Sequence, residues 1–357
     1  MSKLKDFFKR KDVTLSPKRY FIDAMSAMAL GLFATLLMGT ILDTLADVIF
    51  GSTATEDFLH QISAKCSAAT GMAIGVAVAN ALKAPPLVMF SCAVVGSIGY
   101  SMGASIAVGD AIINYTAGPA GAYIAAIVAA ELGKIVSKET KVDILVTPTV
   151  TVLTGYGISV LVCPAVAYVM YYLGDFIKSA TEYQPLLMGI ILAVVVGMIL
   201  TLPISSAAIC AMIGISGIAG GAAAVGCCAQ MVGFAVISFR ENKWGGVVAQ
   251  GLGTSMLQMG NICKRPAIWI APTLAAAVCG PISTLVFKLT CTGVSAGMGT
   301  CGLVGPIGII SSMGADTNSI VGTVLCCFVL PVVLSLVFNE ILRKAGLVKT
   351  GDMKLDL

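Results

Sequence analysis

Polar residues inside otherwise apolar stretches are the main candidates for chemistry in this sequence. Glu131 lies late in one apolar stretch, and a position near Ser255 corresponds to it in a possible second copy of that stretch. Three amide side chains, Gln250, Gln258 and Asn261, flank this second position. A carboxylate that faces amide groups could bind the hydroxyls of a polyol, because both form directional hydrogen bonds.

Each acidic candidate also has an ordinary interpretation. Glu131 could simply pair with Lys134 or Lys138 at a charged helix end. Asp110 follows 26 uncharged residues, and Asn114 comes one helical turn later. These two residues could bind a solute or a coupling ion, or they could lie in an outer loop. Because charge is costly in an apolar environment, both acidic residues are functional candidates.

Two prolines occur beside threonines within apolar stretches. Pro148 lies between Thr147 and Thr149, and Pro272 precedes Thr273. A proline in a helix interior removes one backbone hydrogen bond, so the sequence predicts a break or kink at each position. Freed carbonyls and threonine hydroxyls there could bind a ligand, although such a kink can also exist without one.

A glycine-rich segment near residues 297–308 is the third kind of candidate. It contains Gly299, Thr300 and Gly302. Glycine lets the backbone approach a ligand closely, so backbone amides of this segment could contact a solute. Tight packing between helices is the competing interpretation, since glycine also permits close helix contacts.

Familiar catalytic patterns do not occur in the sequence. His60 is the only histidine, so no histidine-based triad or histidine metal site can form, and there is no GxxxxGK[S/T] nucleotide-binding pattern. The 12 cysteines lie mostly in apolar stretches and lack paired CxxC motifs at metal spacing, which favours packing roles. We therefore predict no catalytic residue, no metal and no cofactor.

The composition places all these residues in a membrane protein. Only 11% of residues are charged and 57% are hydrophobic, whereas soluble domains carry about 25% charged residues. A bilayer crossing needs about 20 apolar residues, and several uncharged stretches exceed that length. This excludes a soluble enzyme, a disordered chain and a nucleic-acid binder, and the lack of alternation disfavours a porin-like barrel. The long uncharged stretches are 84–109, 144–174, 184–239, 266–287, 289–315 and 317–339.

The few charges predict the orientation. Residues 1–20 contain seven lysines and arginines, and Arg343, Lys344, Lys349 and Lys354 lie near the other end. By the positive-inside rule, both termini are expected in the cytoplasm. We expect residues 1–20 to be a basic cytoplasmic segment that attracts anionic lipid, and 346–357 to be a cytoplasmic tail.

The apolar segments predict an all-α polytopic membrane protein with about ten transmembrane helices and some re-entrant segments. Segments 86–116 and 205–239 are too long for one helix, and their glycines predict breaks or hairpins. Segment 291–314 has too many glycines for a regular lipid-facing helix. Irregular backbone survives at membrane depth only when it is buried in protein or lines a cavity.

An internal repeat is the strongest architectural signal. Residues 71–96 align without gaps on 189–214, and 144–162 align on 268–286. We predict two repeats, 21–180 and 181–345, although apolar helices can also match by coincidence. Basic residues precede the second block in both copies, which predicts a parallel arrangement. Transporters often bind substrate between such repeats near the bilayer midplane.

Several runs resemble the EIIC-type membrane proteins of the phosphotransferase system, within the subgroup that includes the perfringolysin regulator-like proteins. The resemblance extends over residues 20–345. It is carried by the runs Gly118-Pro-Ala-Gly-Ala-Tyr123, Glu131-Leu-Gly-Lys134, Thr140-Lys-Val-Asp-Ile-Leu-Val-Thr-Pro148 and Gly299-Thr-Cys-Gly-Leu-Val-Gly-Pro-Ile-Gly308.

The resemblance implies a dimeric permease of the bacterial inner membrane that receives a sugar from outside and presents it to separate EIIA/EIIB-type subunits. Glu131 would take the role of the sugar-binding glutamate of better-known branches. The sequence departs from those branches because no histidine occupies a suitable position and no EIIA or EIIB domain occurs within it. A membrane regulator that senses a ligand, or an ion-coupled secondary transporter or channel, therefore stays open.

Overall fold

The computed structural model describes residues 7–14, 16–46, 54–108, 111–181 and 183–355. The chain divides into two compact units. The first comprises Met1–Leu36 and Ala64–Met170, and the second comprises Leu37–Ser63 and Tyr171–Leu357. The predicted repeat boundaries at 180 and 181 remain a prediction.

Helices form nearly all of the regular structure in the first half of the chain. Helix α1 contains two π-helical stretches, and a short hairpin of two antiparallel strands precedes α5. These elements are α1 (Arg19–Asp43), α2 (Ala54–Ala68), α3 (Thr70–Ala81), α4 (Pro86–Ser101), β1 (Gly103–Val108), β2 (Ala111–Thr116), α5 (Gly118–Val136) and α6 (Asp143–Ala180).

All the regular structure described in the second half is helical, with several short helices between longer ones. Single turns of 3-10 helix precede α11, α12 and α14. The helices are α7 (Pro185–Thr201), α8 (Ser206–Met212), α9 (Gly217–Ile237), α10 (Phe239–Val248), α11 (Met259–Lys264), α12 (Ile270–Leu285), α13 (Gly293–Ala296), α14 (Val304–Met313) and α15 (Thr317–Lys344).

The predicted class, an all-α polytopic membrane protein, is confirmed. In the part of the chain that the structure describes, six helical spans are long and apolar enough to cross a bilayer, and α2 with α3, bent by 45° at their junction, make a possible seventh. Three shorter apolar helical segments of 10–17 residues are also present. The figure of ten crossings and the re-entrant segments remain predictions.

Helices are interrupted in all three segments whose length or glycine content predicted breaks. Segment 86–116 forms α4 and then the hairpin, in which Gly103 pairs with Thr116 and Val108 with Ala111. Segment 205–239 divides into α8 and α9, and segment 291–314 divides into α13, one 3-10 turn and α14. The glycines therefore end helices where the composition alone would continue them.

The prolines behave differently from the expectation of a break. Helix α6 continues through Pro148, which is its sixth residue, so the chain does not break there. The alternative, a kink at Pro148, stays a prediction. Pro272 is the third residue of α12, where a backbone N–H has no partner within the helix. A proline this close to a helix start removes little hydrogen bonding, and the helix tolerates it.

Small residues allow close helix packing in each unit. In the first unit, a Cβ at Gly75 of α3 would clash with the backbone carbonyl of Cys92 in α4. In the second unit, a Cβ at Gly226 of α9 would clash with the carbonyl of Ala193 in α7. Helix α9 is almost entirely buried inside the protein. It is therefore the central helix of the second unit.

Candidate functional site

A buried ion pair lies at the end of α5 in the first unit. Glu131 and Lys134 are three residues apart and so share one helix face. Their Oε2 and Nζ atoms are 2.8 Å apart, and only 8% of Glu131 and 2% of Lys134 is exposed. The Tyr20 hydroxyl donates a hydrogen bond to Glu131 Oε1 at 3.2 Å, and Arg19 Nε lies 4.0 Å from the same oxygen.

Lys134 uses its remaining hydrogen-bonding capacity on backbone groups. Its ammonium donates to the carbonyl of Asp12 at 2.8 Å and to the carbonyl of Leu82 at 3.0 Å. Together with Glu131, these carbonyls match the three donors of an ammonium group. The arrangement is the ion pair that the sequence offered as the alternative role of Glu131. Solute binding by Glu131 stays a prediction.

The N-terminal segment is tied to this end of α5 by charged groups. Arg10 and Lys11 both pair with Glu139, and the Arg10 contact measures 2.7 Å. The guanidinium of Arg19 donates a hydrogen bond to Asp12 Oδ2 at 2.8 Å and thereby lowers the pKa of that carboxyl below its ordinary value. The hydrogen bond from Lys11 likewise lowers the pKa of Glu139. Both carboxylates are therefore stabilised in their ionised forms.

Of the predicted pair Asp110 and Asn114, only Asn114 belongs to the described residues, and it is not on a helix. Asp110 lies outside the described residues. Asn114 lies in β2 opposite Ser105 of β1, whose hydroxyl donates to Asn114 Oδ1 at 2.6 Å. Asn114 therefore lies in a hairpin, which is one of the outcomes predicted for segment 86–116. Solute or ion binding by Asn114 stays a prediction.

The threonines beside Pro148 bond to their own helix. The Thr147 hydroxyl donates to Asp143 Oδ1 at 2.6 Å, and the Thr149 hydroxyl donates to the Leu145 carbonyl at 2.7 Å. Such local bonds satisfy the hydroxyls one turn back along the helix. A ligand at Thr147 or Thr149 would have to compete with these bonds.

The three amides of the second unit meet in one buried cluster, which we call the amide cluster (Gln250, Gln258, Asn261). Gln258 Nε2 donates to Gln250 Oε1 at 2.9 Å, and Asn261 Nδ2 donates to Gln258 Oε1 at 2.8 Å. Gln258 also donates to the Met353 carbonyl and Asn261 to the Lys354 carbonyl. Gln258 and Asn261 therefore donate to backbone of the C-terminal segment, whereas Gln250 donates to the Ser238 hydroxyl and the Gly246 carbonyl. Solute binding by these amides stays a prediction.

Two further residues, Glu241 and Asn242, also bind the C-terminal segment. The sequence analysis did not identify either of them. The carboxylate of Glu241 accepts hydrogen bonds from the backbone N–H groups of Gly351 and Met353, both at 2.9 Å. Asn242 donates to the Met353 carbonyl and accepts from Leu355 N–H, each at 2.8 Å. Residues 240–243 contain three charges and resemble an ordinary loop, so the sequence carries little signal for this role.

The glycine-rich segment is packed tightly within the second unit. A Cβ at Gly299 would lie 2.8 Å from Cys227 of α9, and one at Gly302 would lie 3.1 Å from Ile41 of α1. Both glycines also have positive φ angles, 57° at Gly299 and 53° at Gly302, so backbone conformation and close packing each favour glycine here. Solute contact by this segment stays a prediction. The hydroxyl of Thr300 is fully buried and has no hydrogen-bond partner among the described residues.

A second polar group in the interior of this unit involves a residue that the sequence did not single out. Gln230 of α9 is fully buried, and its Nε2 donates to Thr273 Oγ1 at 3.0 Å. Trp269 Nε1 donates to Gln230 Oε1 at 3.1 Å, and Thr273 Oγ1 donates to the Trp269 carbonyl. We call this group the indole cluster (Gln230, Trp269, Thr273). An amide within the uncharged stretch 184–239 was the available signal.

Comparison with models of known protein families assigns the chain to one family. The sequence model of the family described as Phosphotransferase system, EIIC matches residues 22–355, which is nearly the whole chain. The comparison with curated proteins finds no match. The narrower subgroup suggested by the sequence stays a prediction. The chain therefore belongs to the EIIC family of the phosphotransferase system and is a multi-pass protein of the bacterial plasma membrane.

Proposed function

We propose that this protein is the permease component that carries a small polar solute, a sugar or polyol, across the plasma membrane. The observation that carries the proposal is the family match over residues 22–355, together with the six long apolar spans among the described residues. We further propose that it acts as a homodimer with cytoplasmic termini and passes the solute to separate EIIA/EIIB-type subunits.

Of the polar groups described above, the indole cluster is our first candidate for solute contact. Its members are neutral, and it combines an amide, an indole N–H and a hydroxyl, which can exchange their mutual hydrogen bonds for those of a sugar. Aromatic side chains such as Trp269 also present an apolar face with a polar edge. Thr300, whose buried hydroxyl is unpartnered among the described residues, is the second candidate.

Glu131 ranks behind these groups for a physical reason. To bind a hydroxyl, its carboxylate would have to give up part of its contact with Lys134, which is 2.8 Å away. Separating one partner of a buried ion pair is costly. A neutral hydrogen-bond donor can exchange partners at much lower cost, since a typical net bond contributes about 1 kcal/mol.

Solute binding to the purified protein tests the proposal. A panel of sugars and polyols is titrated by calorimetry against wild type, Gln230→Leu, Thr300→Val and Glu131→Gln in nanodiscs. We expect one class of solute to bind wild type and to lose about tenfold or more in affinity with Gln230→Leu, which removes both hydrogen bonds. Gln184→Leu, the same change at an exposed position, is the matched control and should bind normally. Failure of every member of the panel to bind wild type would sink the sugar proposal.

Uptake by proteoliposomes tests the coupling separately. We expect transport to require a phosphorylated cytoplasmic partner and the solute to emerge phosphorylated. Uptake driven by an ion gradient without such a partner would instead support the secondary transporter. Binding without any uptake would support the regulator.

A further inference from the structure

A strongly basic cavity lies in the first unit where α3 and α5 end. Its volume is about 390 Å³, which is within the usual size range for small-molecule sites. Two carboxylates, Asp12 and Glu139, are also in its wall. Among the described residues, five cationic side chains line it, so this part of the wall carries a surplus of positive charge: Arg10, Lys11, Lys83, Lys134 and Lys138.

Both carboxylates of the wall are already engaged. Glu139 pairs with Arg10 and Lys11, and Asp12 pairs with Arg19 at 2.8 Å. Lys134 is almost fully buried and pairs with Glu131. These groups form a basic frame whose charges are largely matched.

Lys83 and Lys138 are the unmatched charges of the cavity. Both are exposed, and neither ammonium group forms an ion pair with a described carboxylate. They occupy equivalent places in the chain. Lys83 lies two residues after the end of α3, and Lys138 lies two residues after the end of α5. Their φ angles of 56° and 61° are left-handed, a conformation that normally favours glycine. Two lysines thus stand where glycine would relieve strain, and both line the same cavity.

We infer that this cavity binds the phosphate group of a small phosphate ester or of an anionic lipid headgroup. A phosphate monoester carries nearly two negative charges and three acceptor oxygens, which match two free ammonium groups beside a partly neutralised basic frame. Lysine is a regular phosphate ligand. Mutual repulsion of the unmatched cations is relieved when an anion enters, and a half-enclosed cavity screens that attraction less than open solvent does. The inference does not depend on which solute is transported.

Binding of inorganic phosphate to the full chain is the primary test. The protein is placed in nanodiscs of phosphatidylcholine, which supply no anionic headgroup, and phosphate binding is measured by calorimetry at low and high salt. We expect salt-sensitive binding to wild type and a loss of about tenfold or more in Lys83→Gln/Lys138→Gln, since each lost charge weakens an electrostatic contact. Lys141→Gln, an exposed lysine outside the cavity wall, is the matched control and should retain wild-type affinity.

A second pair of variants separates charge from folding. Lys83→Arg/Lys138→Arg keeps both charges and should bind phosphate within a few-fold of wild type. Unfolding temperatures of all variants are measured in the same nanodiscs. Equal phosphate affinity of the glutamine and arginine double variants would overturn the inference.

Lipid binding distinguishes the two sources of phosphate. Native mass spectrometry counts phosphatidylglycerol bound to wild type and to the glutamine double variant. Loss of one lipid in that variant, together with competition between phosphatidylglycerol and free phosphate, assigns the site to a headgroup. Phosphate binding that phosphatidylglycerol does not displace assigns it to a small ester. Absence of both phosphate and specific lipid binding in wild type would overturn the inference.

Discussion

Each unit holds one terminal segment of the chain through polar side chains, but the two anchors differ in charge. In the first unit, the ammonium of Lys134 donates to the carbonyl of Asp12 in the N-terminal segment. In the second unit, the amide of Gln258 donates to the carbonyl of Met353 in the C-terminal segment. One anchor is ionic and the other is neutral.

The proposed repeat relates these two anchors residue by residue. The offset of 124 residues that aligns Ile144 with Ile268 also aligns Lys134 with Gln258 and Glu131 with Ser255. The first unit has a buried cation, Lys134, and a carboxylate, Glu131. The second unit has neutral side chains at both corresponding positions, the amide of Gln258 and the hydroxyl of Ser255. Under the predicted repeat, the two positions differ together between the units, and neither unit has an unbalanced charge there. This correlation supports a counterion role for Glu131.

The difference teaches how each anchor should respond to perturbation. A buried cation and carboxylate depend on each other, because removal of either leaves an uncompensated charge. A neutral amide cluster loses only hydrogen bonds when one member is removed.

Replacement of Lys134 should have the largest effect. Lys134→Gln leaves Glu131 without its closest cation, and we expect a loss of about 3–5 kcal/mol in the free energy of unfolding. Thermal or denaturant unfolding in detergent measures it. The double variant Glu131→Ser/Lys134→Gln, which copies the residues of the second unit, should recover part of that loss. If the double variant were less stable than Lys134→Gln alone, the counterion role of Glu131 would be wrong.

Replacement of Gln258 should have a smaller effect. Gln258→Leu removes its donors to Gln250 and the Met353 carbonyl, and we expect a loss of about 1–3 kcal/mol, typical of unsatisfied buried polar groups. The same unfolding assay applies, and limited proteolysis reports release of the C-terminal segment. A loss as large as that of Lys134→Gln would remove the contrast between the anchors.

Acid should cause the smallest effect, a partial weakening of the attachment of the N-terminal segment. The pKa values of Asp12 and Glu139 are lowered by their cationic partners, so their stabilisation is complete above the ordinary carboxyl pKa of about 4 and is lost as pH falls through the lowered values. Hydrogen exchange of residues 7–14 between about pH 6 and pH 3 measures this release.

Matched variants identify the groups responsible for the acid effect. Asp12→Asn/Glu139→Gln should show weakened attachment of the N-terminal segment already at neutral pH and little further change in acid. An unchanged acid response in that double variant would assign it to other carboxylates. The amide cluster itself contains no titratable group, so its hydrogen bonds serve as the internal reference.

The sequence correctly predicted the class of fold, and it singled out Glu131 and the three amides as candidates for solute binding. Long uncharged stretches predicted the membrane helices, and glycines predicted the interruptions in 86–116, 205–239 and 291–314. Glu131 and the amides were named from polarity alone, because a polar side chain in an apolar stretch must find a partner. The sequence alone could not predict the hydrogen-bond or ion-pair partner of each of these side chains. Gln230 and Glu241 were missed because their partners, Trp269 and the backbone of residues 351–353, are distant in sequence.

By itself, the sequence determined that the chain is a polytopic membrane protein of EIIC type, since apolar composition and local runs need no knowledge of contacts. Only the tertiary structure decided that Lys134 and Gln258 bind backbone carbonyls and that Lys83 and Lys138 line one basic cavity. The physical reason is that hydropathy is a property of consecutive residues, whereas hydrogen-bond partners and cavities depend on segments that are as many as 129 residues apart in the sequence.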